Sequence, residues 1–228
     1  MTVQRKARHR GFALLACATG WLVAQAALAA TPDFSGKWQS ASTAPQLLSS
    51  DGKQPPLRAG IAMRSDDPVK RCLPPGVPRI HSNAQPFLIL QRPDRLQVVY
   101  QFQRLVRQIY LEGSQPKDPD PAFFGNAVAR WQGDALVVET SGFKAAGQLD
   151  DAGTPFSKAL RTTERWRLRD ANTLEVVVEI NDSANFSAPW QATYEFRRQK
   201  GTELTEDVCV DRTWPERIVR QKQMEEQE

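Results

Sequence analysis

The chain has 228 residues, 40% hydrophobic and 25% charged, with 16 prolines and 13 glycines, an ordinary globular composition rather than a low-complexity or collagen-like one. Its formal charge of +4 says little about partners. Arg5, Lys6, Arg8 and Arg10 lie in the first 29 residues, which hold no acid, so beyond them 26 basic residues face 26 acidic ones and neither a nucleic-acid nor an anionic-membrane partner has compositional support.

The basic start is followed by an apolar run from Gly11 to Leu28, and Ala27-Leu28-Ala29 fits the small-residue cleavage rule. Residues 1–29 therefore read as a secretory signal peptide, with the mature chain starting near Ala30 in the periplasm or outside the cell. An uncleaved anchor is the alternative reading, and the faintly lipoprotein-like "LLAC" would cut the apolar run too early. After Pro32 no apolar stretch is long enough for a membrane span. Cys17 leaves with the leader. Cys72 and Cys209 remain and are expected to pair in an oxidising compartment, tying the start of the barrel region to its last strand. A catalytic thiol would need a base nearby, and His81 is the mature chain's single histidine.

Residues 30–86 hold a short strand in "DFSGKWQS" (33–40), then a Pro-, Ser- and Gly-rich ordered loop with a short helix around 57–63. Pro74, Pro75 and Pro78 forbid regular helix or central strand before His81. From 87 to 212 short alternating segments follow one another: "FLIL" (87–90), "LQVVYQFQ" (96–103), "LVRQIYLEG" (105–113), "NAVARW" (126–131), "ALVVETSGF" (135–143), "LRTTERWRL" (160–168), "TLEVVVEIND" (173–182), "WQATYEFRR" (190–198) and "ELTEDVCV" (203–210). Gln132-Gly133-Asp134 is a hairpin signal. Roughly ten strands at short spacing, with no helices alternating between them, predict one all-β domain. An up-and-down antiparallel barrel of about 8–10 strands, lipocalin-like, removes the exposed edges, and a β-sandwich is the alternative. Residues 213–228 form a polar tail.

One strand raises a chemical question. In "ALRTTERWRLRD" (159–170), period two puts Thr162, Glu164, Trp166 and Leu168 on one face. If Trp166 points inward, so does a carboxylate, and a buried carboxylate must find a partner or rise in pKa. Glu164 then either takes part in binding or acid–base chemistry, or pairs structurally with an inward arginine such as Arg107 or Arg130. A place in water at the barrel mouth is the third option. Tyr100 and Tyr194 share faces with apolar neighbours, as ligand donors or as core aromatics. His81 is a proton partner or a solvated loop residue.

A His/Cys metal site, a calcium loop in "PKDPDP" (116–121) or "QLDDAG" (148–153), a phosphate loop and a nucleophile elbow all lack their residues, so no metal or cofactor is expected. A Ser/His/acid triad using His81 stays open, although nothing marks a nucleophile.

The blocks "RCLPPGVPR" (71–79), Pro86-Phe87, "GNAVARWQGDALVVETSGF" (125–143), "ALRTTERWRL" (159–168) and Pro189-Trp190 together resemble a largely uncharacterised family of secreted bacterial lipocalin-like β-barrel proteins, over about residues 33–210. The resemblance implies a barrel but carries no activity. Members commonly have a histidine where this chain has Asn126, and Pro-His where it has Pro155-Phe156.

Three functions follow. The first is a barrel that binds a small, mainly apolar or aromatic molecule among Trp166, Tyr100, Tyr194 and Trp190, oriented by Glu164, with Arg107 and Asn126 as further contacts. The second is a cofactor-free isomerase, lyase or hydratase, with Glu164 as general acid or base and Tyr194 or His81 as proton partner. The third is an envelope interaction module presenting residues 72–79. Oligomeric state has no signature in the sequence.

Overall fold

The computed structural model describes residues 1–2, 31–44, 46–145 and 147–211. Beyond residues 1–2, the expected signal peptide with its expected cleavage site lies outside these residues, as does the polar tail.

Nine strands close into one barrel in chain order: β1 (Gly36–Ser40), β2 (Phe87–Gln91), β3 (Arg95–Tyr100), β4 (Val106–Leu111), β5 (Asn126–Gln132), β6 (Ala135–Ser141), β7 (Arg161–Asp170), β8 (Thr173–Asn181) and β9 (Trp190–Gln199). β1 pairs antiparallel with both β2 and β9, so no sheet edge is left between first and last strands. The fold is all-β, and closure excludes the sandwich. Tight turns set the register. Gln132 pairs with Ala135 across a two-residue turn in which Gly133 takes φ +61°, the left-handed conformation that glycine adopts without cost.

The purely antiparallel order expected from the meander does not hold. β4 and β5 run parallel, in register over Ile109–Leu111 and Ala127–Ala129. The reason is topological. Strands that alternate in direction close into a ring only in even number, and the nine strands here need one parallel pair. A parallel neighbour needs a crossover connection rather than a hairpin. Residues 112–125 therefore travel back along the outside of the barrel, exposed for most of their length.

Three other expectations are corrected. The strand at 96–103 stops at Tyr100, and the chain enters a 3-10 turn, Phe102–Arg104, with positive φ at Gln103 and Arg104. No helix forms around 57–63; Leu57 instead bridges to Phe186. Residues 203–208 are not a strand, and Cys209 opens a helical turn, so the disulfide ties the Pro-rich loop to a segment beyond the barrel rather than to its last strand.

Period-two alternation holds along the barrel wall. The inward faces of β3 (Leu96, Val98, Tyr100), β8 (Leu174, Val176, Val178, Ile180) and β9 (Trp190, Ala192, Tyr194, Phe196) are buried. Rings fill the lumen: Phe34 stacks on Trp131 at 5.5 Å, Phe87 meets Phe196 edge-on at 5.1 Å, and Tyr100 stacks on Phe124 at 5.7 Å. One end of the barrel is plugged by the Pro-rich region, where 3-10 helices Pro68–Arg71 and Arg79–Ser82 carry the chain inward.

Candidate functional site

Glu164 points into the lumen and is 0% exposed. Its neighbours on β7 obey the same alternation, Thr162 and Trp166 buried and Thr163 and Arg165 exposed. Arg107, on β4, is inward by the same rule and 1% exposed. Its Nη1 donates to Glu164 Oε2 at 3.0 Å, and its Nη2 donates to Glu164 Oε1 at 2.5 Å and to Thr140 Oγ1 at 3.1 Å. This forked pair matches guanidinium to carboxylate in a way lysine could not. Arg130, the other candidate partner, is outward and pairs with Glu139 at the surface.

Two more donors complete the carboxylate's shell. Trp166 Nε1 donates to Oε2 at 3.0 Å, and His81 Nε2 lies 3.1 Å from the same oxygen. His81 is buried, not solvated. It is carried into the barrel on the plug, where Asp67 accepts from both terminal nitrogens of Arg79 at 2.7 Å and Asp151 accepts from Arg79 Nε at 2.8 Å. Asp67 also caps the first 3-10 helix through Val69 N at 3.0 Å. The His81 ring then packs against Trp166, Tyr194 and Phe196.

Burial by itself would raise the Glu164 pKa. The Arg107 charge and the hydrogen bonds from His81 and Arg107 outweigh it and hold the carboxyl well below the usual carboxylate range. A carboxylate so held is a weak base, and its oxygens are already occupied. Burial pushes the Tyr100 and Tyr194 phenols well above their ordinary value, so both are protonated near neutral pH.

This has a consequence for acid stability. A group whose folded pKa is depressed adds stability above its unfolded pKa, near 4.5 here, and loses it as pH falls below that value toward the folded pKa. Asp67, where the Arg79 fork outweighs burial, acts with the same sign. The urea midpoint should be nearly flat from pH 7 to about pH 5 and fall steeply below about 4.5, and a Glu164→Gln variant should show a shallower acid limb. Urea titrations at stepped pH check both slopes.

Glu164, Arg107, His81 and Trp166 meet in one cluster, with Tyr194 in ring contact with His81. Trp190 stands apart, packed on Phe186 at 5.4 Å. Asn126 is at the wall, its Nδ2 donating to Asp120 O at 3.1 Å. Cys72 and Cys209 are joined, so neither is a free thiol.

Arg107 and Asn126 share a second setting. In register, β4 pairs with β5 only from Ile109 onward, while Ala122 bridges to Phe143 near the end of β6. The seam therefore splits beside Val106, Arg107 and Gln108. A cleft of about 560 Å³ opens there, lined by Val106, Tyr110, Phe123, Phe124, Pro116 and Pro74 among others, with Arg107, Gln108 and Asn126 also in its wall. That volume suits a drug-sized molecule. Tyr100 joins it indirectly, since its ring stacks on Phe124. A plug-side cleft of similar size is lined by Asp67, Arg79, Asp150 and Asp151. There Arg79 pairs with Asp67 and Asp151, and Asp150 accepts from Leu47 N and Thr154, so these charges serve to fix the plug.

Gln108, Tyr110, Phe123 and Phe124 do not stand out in the sequence as site residues. The one signal is the connection "SQPKDPDPAFFG" (114–125), too long for a hairpin and carrying two adjacent aromatics that an exposed turn does not need.

Among the described residues no group of three or more His, Cys, Asp or Glu side chains could hold a metal ion. None of the described helices is long and apolar enough to cross a membrane. No protein-family model matches the chain, and no curated protein matches it significantly.

Proposed function

We propose that this protein is a periplasmic or secreted barrel that binds one small, mainly apolar or aromatic molecule in the cleft at the β4–β5 seam. The observation that carries the reading is the cleft itself: about 560 Å³, walled mainly by aromatic rings, prolines and small apolar side chains. The location is supported by the Cys72–Cys209 disulfide, a bond at home in oxidising compartments. The resemblance to secreted lipocalin-like barrels points the same way. The ligand lies against the outer wall of the barrel in this reading, because Trp166, Tyr100 and Glu164 fill the lumen with their own contacts. The buried ion pair holds the inner side of the seam in place.

Acid–base chemistry at Glu164 draws no support from a depressed pKa and a carboxylate whose oxygens both accept hydrogen bonds.

The test is a fluorescence titration with N-phenyl-1-naphthylamine, a neutral aromatic dye. Wild type should bind one dye per chain. Phe123→Ala should weaken binding about tenfold, roughly 1.4 kcal/mol, by removing one wall ring. Val106→Trp, placed at a position 48% exposed, should fill the cleft and abolish binding without disturbing the core. Dye binding unchanged in both variants would remove the cleft from consideration.

A further inference from the structure

Resting on that reading, the outer face of β4 narrows the ligand's chemistry. Alternation turns Arg107 and Ile109 into the lumen and leaves Val106, Gln108 and Tyr110 on the outer wall, where all three line the cleft. The Gln108 Oε1 atom is buried and has no hydrogen-bond partner, and Gln97, directly opposite on β3, makes no hydrogen bond to it. The other two amide side chains of the cleft are engaged. Asn126 Nδ2 donates to Asp120 O at 3.1 Å, and Gln115 Oε1 accepts from Gly113 N at 2.8 Å. Gln108 therefore holds an unmet acceptor in a mainly apolar wall. A buried acceptor without a donor is costly, and a ligand that supplies the donor removes the cost.

We propose that the ligand of this cleft carries a neutral hydrogen-bond donor, a phenol hydroxyl or an amide or aryl-amine N–H, on its aromatic or apolar body, and that Gln108 Oε1 accepts from it. Other head groups fit poorly for physical reasons. An ether, a ketone or a carboxylate has no proton to give near neutral pH and would set one oxygen against another. An ammonium has protons, but Lys144 over Phe123 at 5.3 Å and Arg95 over Tyr110 at 5.7 Å already stand on the faces of two cleft rings, so it would meet like charges where it would otherwise gain from the rings.

The experiment is a calorimetric titration of the mature protein with a matched pair, 1-naphthol and 1-methoxynaphthalene, which share an aromatic body and an oxygen and differ in the donated proton. The naphthol should bind about tenfold more tightly. In Gln108→Leu that preference should vanish while N-phenyl-1-naphthylamine still binds. In Gln108→Glu, which keeps acceptor oxygens and has no amide N–H, the preference should persist. Equal binding of the pair to wild type, with the dye bound, would overturn the donor assignment and leave the cleft reading standing. A preference that survives in Gln108→Leu, or one lost in Gln108→Glu, would also overturn it. Binding of neither compound, nor of the dye, would overturn the assignment and the cleft reading together.

Discussion

Replacing Glu164 with glutamine is expected to destabilise the fold by about 3–5 kcal/mol, because the substitution leaves the Arg107 guanidinium buried and uncompensated. The geometry makes the cost large. Arg107 is 1% exposed and Glu164 0% exposed, so water cannot replace the missing charge without opening the barrel. Glutamine keeps the size and one acceptor oxygen, and Trp166 Nε1 can still donate to it. What is lost is the charge and one arm of the fork. Arg107→Met in the same chain should recover a large part of the loss, since neither charge is then buried alone. Urea unfolding of wild type, both single variants and the double variant gives the coupling energy directly. A cost below about 1 kcal/mol for Glu164→Gln would mean that the ion pair does not hold the wall.

The second large effect concerns Cys72 and Cys209. Their bond spans a sequence separation of 137 residues and joins the plug to the segment after β9. In the chain-entropy account, closing so long a loop restricts the unfolded chain by about 4–5 kcal/mol. The Cys72→Ser/Cys209→Ser variant should therefore melt roughly 10–15 °C lower than wild type, from about 2–4 °C per kcal/mol for a domain of this size. The other contacts of this segment are few and at most half-buried: Thr205 N donates to Gln101 Oε1 at 3.0 Å, Gln103 N donates to Asp207 Oδ2 at 2.5 Å, Lys37 Nζ donates to Glu203 O at 3.4 Å, and Arg104 pairs with Glu206 at the surface. Calorimetric melting with and without reductant measures the effect. Equal melting temperatures would show that the tether adds nothing to the stability of the barrel.

Much of the wall was legible because alternation survives wherever one face is buried. The stripe Leu174–Ile180, the hairpin at Gly133 and the inward place of Glu164 beside Trp166 all follow from period two and turn chemistry. Local pattern does not carry strand direction. The segments of β4 and β5 read alike whether the strands run parallel or antiparallel, so the seam and the cleft it opens had no trace in the alternation. The partner of Glu164 was likewise open between Arg107 and Arg130, because choosing one needs the relative faces of strands distant in sequence. Residues 203–210 carry apolar spacing without a strand because the barrel is already closed between β1 and β9, which leaves no edge for another strand to join. The depth of the Pro-rich region has no signal in the sequence: His81 reaches the lumen through ion pairs of Arg79 with Asp67 and Asp151 that no local motif announces.

The central claim is that a small apolar molecule is held at the β4–β5 seam and not in the lumen. The measurement that tests it most directly is a two-dimensional amide and indole NMR titration of the mature protein with N-phenyl-1-naphthylamine. The account predicts shifts concentrated in residues 105–110 and 122–128, with the indole Nε1–H signals of Trp166 and Trp190 unmoved. Shifts of those two indole signals, with the seam residues silent, would place the ligand inside the barrel and contradict the account.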